Sequence, residues 1–331
     1  MTDPDNDDCA DIEAADANDA IAESADSHAV HEGPVDEPEA PSDWHARSYL
    51  VLALVFGLVS ALFVPPSQVL DEAAHWSRVW QLSNGNIIAD STTDEITGYE
   101  VNAGTYPACV QEYMDHFVQA AQEPEPFHIS EFWQEPDGCN GRPAQRRVGE
   151  AMGTYSVWSY PGQVVGVSLG RLLHLPIPWI FHLGRLCGLA LTVALGWFAI
   201  RMATRGKGIL MFVGLAPIAL MGSAGYSADG IVISAMMLAA AYATRFSEPR
   251  YTMTNRQLAL LVGALSALIL TKPPYVLMLL LLLCFHPQAL GSRVRTKRLL
   301  GAAAGLIVLL TVIWSKVSTP AEAVLVFRPG V

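Results

Sequence analysis

The stretch Pro65-Pro66-Ser67-Gln68-Val69-Leu70-Asp71-Glu72-Ala73-Ala74-His75-Trp76-Ser77-Arg78 follows the apolar run Tyr49 to Val64, and the chain does not rejoin an apolar pattern until about Tyr160. A run of this kind reads as a membrane span, since crossing the hydrocarbon takes roughly 20 mostly apolar residues. The pair Asp71-Glu72 then stands just outside the membrane, at the head of a loop, 65–159, too long to be a simple connection. Carboxylates at the mouth of a membrane bundle point to chemistry on a lipid-borne substrate.

Composition supports this reading and excludes a soluble globular domain. Half the chain is apolar (51%), only 16% is charged, and the apolar residues come in long blocks. The net charge of −12 is unevenly placed. Met1 to Ala46 carries fifteen acidic residues and no Lys or Arg, which leaves 17 acidic against 20 basic residues in the rest. The segment 1–46 is poor in aromatics and has no sustained period, so it is expected to be a disordered cytoplasmic tail. It lacks the basic start and early apolar segment of a signal peptide.

Further spans are expected at about 178–200, 208–225, 229–246 and 299–317. Two shorter apolar runs, 257–271 and 275–286, are joined by Thr271-Lys272-Pro273-Pro274-Tyr275. The prolines forbid one straight helix, so these runs read either as a tight pair of spans or as one broken segment. Arg47, the set Arg201, Arg205 and Lys207, the set Arg245, Arg250 and Arg256, and the set Arg293, Arg295, Lys297 and Arg298 fall on one side if the chain crosses seven times. The positive-inside rule makes that side cytoplasmic. Counting 161–174 as a span would break the arrangement, so it is expected to be a surface or re-entrant helix. The expectation is an all-α membrane protein, a polytopic helical bundle of about seven spans over 47–331 in the plasma membrane. The N-terminus is cytoplasmic, and the long loop and the C-terminus are extracytoplasmic. Two loop cysteines, Cys109 and Cys139, would there be permitted a disulfide.

Asp71, His75 and Arg78 are spaced to share one face of a short amphipathic helix, Leu70 to Ser83, whose Trp76, Val79 and Trp80 would sit at headgroup depth. Asp71 or Glu72 can serve as a general base or metal ligand, with His75 assisting and Arg78 holding a phosphate. Equally, the acidic pair can simply favour a helix N-terminus and the others form a solvated face. Arg185 lies within an apolar run and is either a phosphate contact or a snorkelling anchor. Tyr160 belongs to an aromatic set that forms an interfacial belt or a platform for a sugar ring or a lipid headgroup. Asp229 either caps the following helix or faces the same cavity as Asp71, and Lys272 either holds a pyrophosphate or anchors at the headgroups. Asp71 and His75 alone fall short of a zinc site, so no metal ligand set is assigned, although a divalent cation is compatible with the acidic pair. No phosphate-binding loop, dinucleotide fingerprint or nucleophile elbow occurs, and nothing points to a nucleic-acid partner.

The order of the acidic pair, His75 and Arg78 after a first span, then Tyr155 to Pro161, Arg185, Ser227-x-Asp229 and Lys272-Pro273-x-Tyr275, resembles a bacterial family of polytopic membrane proteins, domain of unknown function 2142. The resemblance covers about Ser48 to Trp314. That family is similar to a distant branch of the GT-C membrane glycosyltransferases. It implies a many-helix fold with a long first outer loop carrying an acidic catalytic residue, here Asp71 or Glu72. It also implies a polyprenyl-phosphate sugar as donor and a cell-envelope glycan acceptor. GT-C enzymes usually have more spans than the seven expected here, so the resemblance implies either a truncated version or one that lacks part of the donor site. A flippase for a lipid-linked glycan and a non-catalytic scaffold of envelope-polymer assembly are the rival readings.

Overall fold

The computed structural model describes residues 43–93, 100–120, 128–136, 139, 145–149 and 152–318. The acidic segment up to residue 42 lies outside the described residues. Trp44 to Ala46, assigned to the tail by composition, form the first turn of helix α1 (Trp44–Phe63).

Among the described residues, three helices are long and apolar enough to cross a membrane: α1, α5 (Ile177–Met202) and α10 (Arg293–Ser318). A fourth crossing is made if α6 (Lys207–Leu215) and α7 (Pro217–Ala224) count as one span bent by 60°. The expectation for 208–225 was a single span. The bend falls at Pro217, whose ring leaves no backbone N–H for the ladder and clashes with the preceding turn. Helix α8 (Asp229–Phe246) is closely the length expected for it. The two short apolar runs become α9 (Asn255–Thr271) and a 3-10 helix, Pro273–Cys284. A 3-10 helix rises about 2.0 Å per residue against 1.5 Å in an α-helix, so this stretch reaches farther than its residue count suggests.

Helix α5 is the organising element and packs on α1, α8 and helix α4 (Pro161–Leu172). It runs antiparallel to α1. Leu189 fills the space beside Gly57, and Tyr49 covers Gly196. The first turns of α5 rise past the end of α1 and carry α4, also antiparallel. Gly162, Gly166 and Gly170 face Gly188, Gly184 and Ile180, and a Cβ at Gly166 would lie 2.6 Å from the Leu183 carbonyl oxygen. Small residues at four-residue spacing let the two backbones touch, the device by which helices associate where lipid removes the hydrophobic drive.

Side-chain and backbone bonds sort the connections to two ends. At one end, Arg201 and Lys207 reach Asp43, Thr204 bonds the Thr244 carbonyl, and the Met253 and His286 amides bond the carbonyls of Ala289 and Phe246. At the other lie the long loop, the α7–α8 turn and the junction after α9. There Trp314, near the end of α10, donates to the Thr154 carbonyl at 2.8 Å.

The long loop builds a cap of its own. Helix α2 (Glu72–Ser83) and helix α3 (Ala108–Ala120) pack with a small antiparallel sheet, β1 (Asp90–Thr93), β2 (Glu100–Pro107) and β3 (Gln145–Gly149), in the order β1-β2-β3. The registers pair Asp90 with Ala103 and Ala103 with Gly149. The all-α expectation did not include this sheet. Cys109 and Cys139 form a disulfide with Cα atoms 5.4 Å apart. Trp76, Val79 and Trp80 are buried inside the cap, with Trp76 edge-on to Phe181 and Tyr226. The expectation of tryptophans at headgroup depth fails, because α3, α4 and the first turns of α5 cover that face.

Candidate functional site

Two of the residues singled out by sequence form a buried pair. Arg185, 0% exposed, donates from Nε to Glu72 Oε1 at 2.9 Å and from an η-nitrogen to Oε2 at 2.6 Å. Its other donors go to the carbonyls of Ala61, Val64 and Pro65, so it also satisfies the last turn of α1, whose carbonyls lack helical partners. The guanidinium stacks 4.6 Å from the Phe181 ring centre. Glu72 accepts two more bonds, from the amides of Ser67 at 2.9 Å and Tyr226 at 3.0 Å. One ion pair thus joins the end of α1, the start of α2, the middle of α5 and the α7–α8 turn. Burying two charges is costly unless each is paired and fully hydrogen-bonded, and here each is.

Arg78 is also fully buried, and it faces the cap. It donates to the Tyr155 carbonyl at 2.9 Å, the Ile87 carbonyl at 2.6 Å and the Gln81 side chain. Asp71, His75 and Arg78 therefore do not share a solvated face.

Asp71 is exposed and takes a left-handed backbone, φ +57°, as the residue before α2, with no side-chain cap bond. Ser67, four residues earlier, is also left-handed at φ +67°. Outside glycine such conformations are uncommon, although Asp tolerates them better than most, and they cluster where surrounding structure enforces them. The enforcing contact is the Glu72 carboxylate on the Ser67 amide. Sequence spacing carried no signal of it.

One turn along α2, buried His75 shares a 2.5 Å hydrogen bond through Nδ1 with the buried Tyr160 hydroxyl and meets the Tyr155 ring edge-on. Burial lowers the imidazole pKa to about 4, although the charges of Asp71 and Asp229 act the other way. At neutral pH it is therefore uncharged, one nitrogen donating and one accepting. Lys272 adds a further lowering influence on it.

Lys272 Nζ donates to Asp229 Oδ1 at 2.6 Å, and both side chains are about 40% exposed (37% and 40%). Burial draws the Lys272 pKa down, but the hydrogen bond and charge of Asp229 outweigh it and the net shift is upward. Asp229 opens the first turn of α8, its amide held by Ser227 Oγ at 3.1 Å. Beneath Lys272, Thr271 and Ser159 share a buried 2.9 Å hydroxyl bond that ties the end of α9 to the segment before α4. Their separation of 112 residues hid that link from any sequence pattern.

Four regions of the chain thus place Asp71, His75, Tyr160, Asp229 and Lys272 around one patch at the cap–bundle junction, while Glu72, Arg78 and Arg185 form its frame. Among the described residues no group of three or more His, Cys, Asp or Glu is arranged to hold a metal ion. The same stretches, in the same order, lie within the match of the model for the family described as Predicted membrane protein (DUF2142), which covers residues 54–325. The chain belongs to this family. The description makes it a membrane protein, in keeping with its long apolar helices, and assigns no activity to the family. No curated protein and no solved structure matches the chain.

Proposed function

We propose that this member of the family is a membrane glycosyltransferase of GT-C type, working at the cap–bundle junction on a sugar carried by a polyprenyl phosphate. In this reading the chain crosses the plasma membrane seven times, through α1, α5, α6–α7, α8, α9, the 3-10 helix and α10. The N-terminus is cytoplasmic, and the cap and the C-terminus are outside. The gathering of the basic short loops at the end opposite the cap supports that orientation.

The observation that carries the activity is the placing of Asp71. It is an exposed carboxylate in a constrained left-handed backbone, next to a neutral buried imidazole and across from a lysine that bonds Asp229. Asp71 accepts the proton of the glycan acceptor's hydroxyl as that oxygen attacks the anomeric carbon. The bond pair leaves with the polyprenyl phosphate, whose charge Lys272 neutralises after exchanging Asp229 for it. His75 and Tyr160 hold the floor of the site and position Asp71. The terms of catalysis are orientation and electrostatic stabilisation of the leaving phosphate.

The test is transfer from labelled polyprenyl-phosphate sugars by the purified protein in lipid. Asp71→Asn keeps the backbone conformation, since Asn tolerates it as Asp does. It is expected to lower turnover about 10²–10⁴-fold, the usual contribution of a general base, with unfolding temperature unchanged. Equal transfer by the variant would refute the role of Asp71. Absence of turnover with every donor would refute the enzyme.

A further inference from the structure

At the end of the bundle opposite the cap, a cleft of about 580 Å³ opens between the starts of α9 and α10. Its polar wall holds Arg295 and Arg298 with Asn255 and Ser292, and its apolar wall includes Leu258 and Leu299. Both arginines are exposed, and neither forms an ion pair among the described residues. Arg295 donates to Asn255 Oδ1 at 3.3 Å, from the start of α10 to the start of α9. Two unneutralised guanidinium groups at one cleft repel one another unless an anion joins them. Arginine suits a phosphate, whose oxygens match its planar fork. The two helix starts add partial positive charge from the same side.

The apolar wall narrows the choice of phosphate. Beyond the cleft, α10 presents Leu306, Leu309, Val312 and Ile313 outward, all at least 48% exposed. The cleft is thus continuous with a surface suited to acyl chains, and a soluble phosphate would leave that wall unused. We infer that the cleft between α9 and α10 binds the phosphate headgroup of an anionic membrane lipid, its chains running along α10. This site is separate from the patch at Asp71 and does not depend on the activity proposed there.

The full chain, purified in neutral detergent, would be weighed by native mass spectrometry with phosphatidylglycerol, phosphatidylcholine or inorganic phosphate. Arg295→Gln with Arg298→Gln removes the cleft charges, and Arg293→Gln with Lys297→Gln removes equal charge beside it. Exposed substitutions of this kind leave folding nearly unchanged. The expected result is retained phosphatidylglycerol on the native chain and the control pair, about tenfold weaker retention by the cleft pair, and little phosphatidylcholine on any of them. Equal loss in both pairs would mean diffuse attraction and would overturn the site. So would full retention by the cleft pair, or displacement of the lipid by millimolar inorganic phosphate, which would assign the cleft to a soluble anion.

Discussion

Glu72 and Arg185 decide how the acidic pair after the first span divides its work. Neighbours in sequence, Asp71 and Glu72 have opposite surroundings: one is in solvent, the other is 1% exposed and takes four hydrogen bonds. Glu72→Gln leaves the guanidinium buried without its counter-charge and is expected to cost about 3–5 kcal/mol. Pairing it with Arg185→Met should recover part of that loss, and a double-mutant cycle on unfolding midpoints would measure the coupling. Additive losses would show that the two do not act as a pair. His75 gives a pH signature at the same scale. Its folded pKa of about 4 lies below the ordinary 6.5, so the unfolded chain binds the extra proton first. The stability tied to its neutral form is complete above pH 6.5 and falls away as pH drops toward 4. Unfolding temperatures across that window should show this slope in the native chain and a shallower one in His75→Gln. The residues bordering the patch could be named from sequence because each is a polar group beside an apolar run. Their partners could not, since the bonds that bury Arg78 and Glu72 reach as far as Tyr155, Arg185 and Tyr226, 77, 113 and 154 positions away.

Helix α4 shows what the element scale adds. Residues 161–174 are too polar for a clear span and too apolar for a loop, and the structure explains the mixture. The glycines serve contact with α5, and Arg171 reaches Ser83 at 2.9 Å and stacks over Trp80. Gly166→Val would drive a branched side chain into the Leu183 carbonyl, and relief requires the helices to part. A loss of about 1–3 kcal/mol is expected, as for other overpacked contacts, together with faster proteolysis of the cap. Gly263→Val, at a position with open space around it, serves as the control. Tolerance of Gly166→Val equal to that of Gly263→Val would contradict the close packing of α4 on α5. Helix positions were largely legible from the lengths of the apolar runs, as with α5, α8 and α10. The break at Pro217 was legible in principle, because a proline so placed stops a helix, yet the surrounding hydropathy masked it. The sheet was not legible. β1 and β3 hold only four and five residues of a polar loop, and the alternation of Val101 and Ala103 in β2 is too brief to mark a strand.

For the whole molecule, the cap is bound to the bundle by bonds that leap across the sequence. The Glu72 carboxylate meets its guanidinium 113 residues later and the Tyr226 amide 154 residues later. A chain made from its N-terminus exposes these groups one after another. Helix α1 and the acidic pair are therefore already in place while their partners are still unmade. Until α5 arrives, the last carbonyls of α1 and the Glu72 carboxylate must be satisfied by water. Until the α7–α8 turn arrives, the Glu72 carboxylate lacks the Tyr226 amide. Locking of the cap is thus a late event that waits on the 154 positions of chain from Glu72 to Tyr226, and a ribosome stalled before Tyr226 leaves it unlatched.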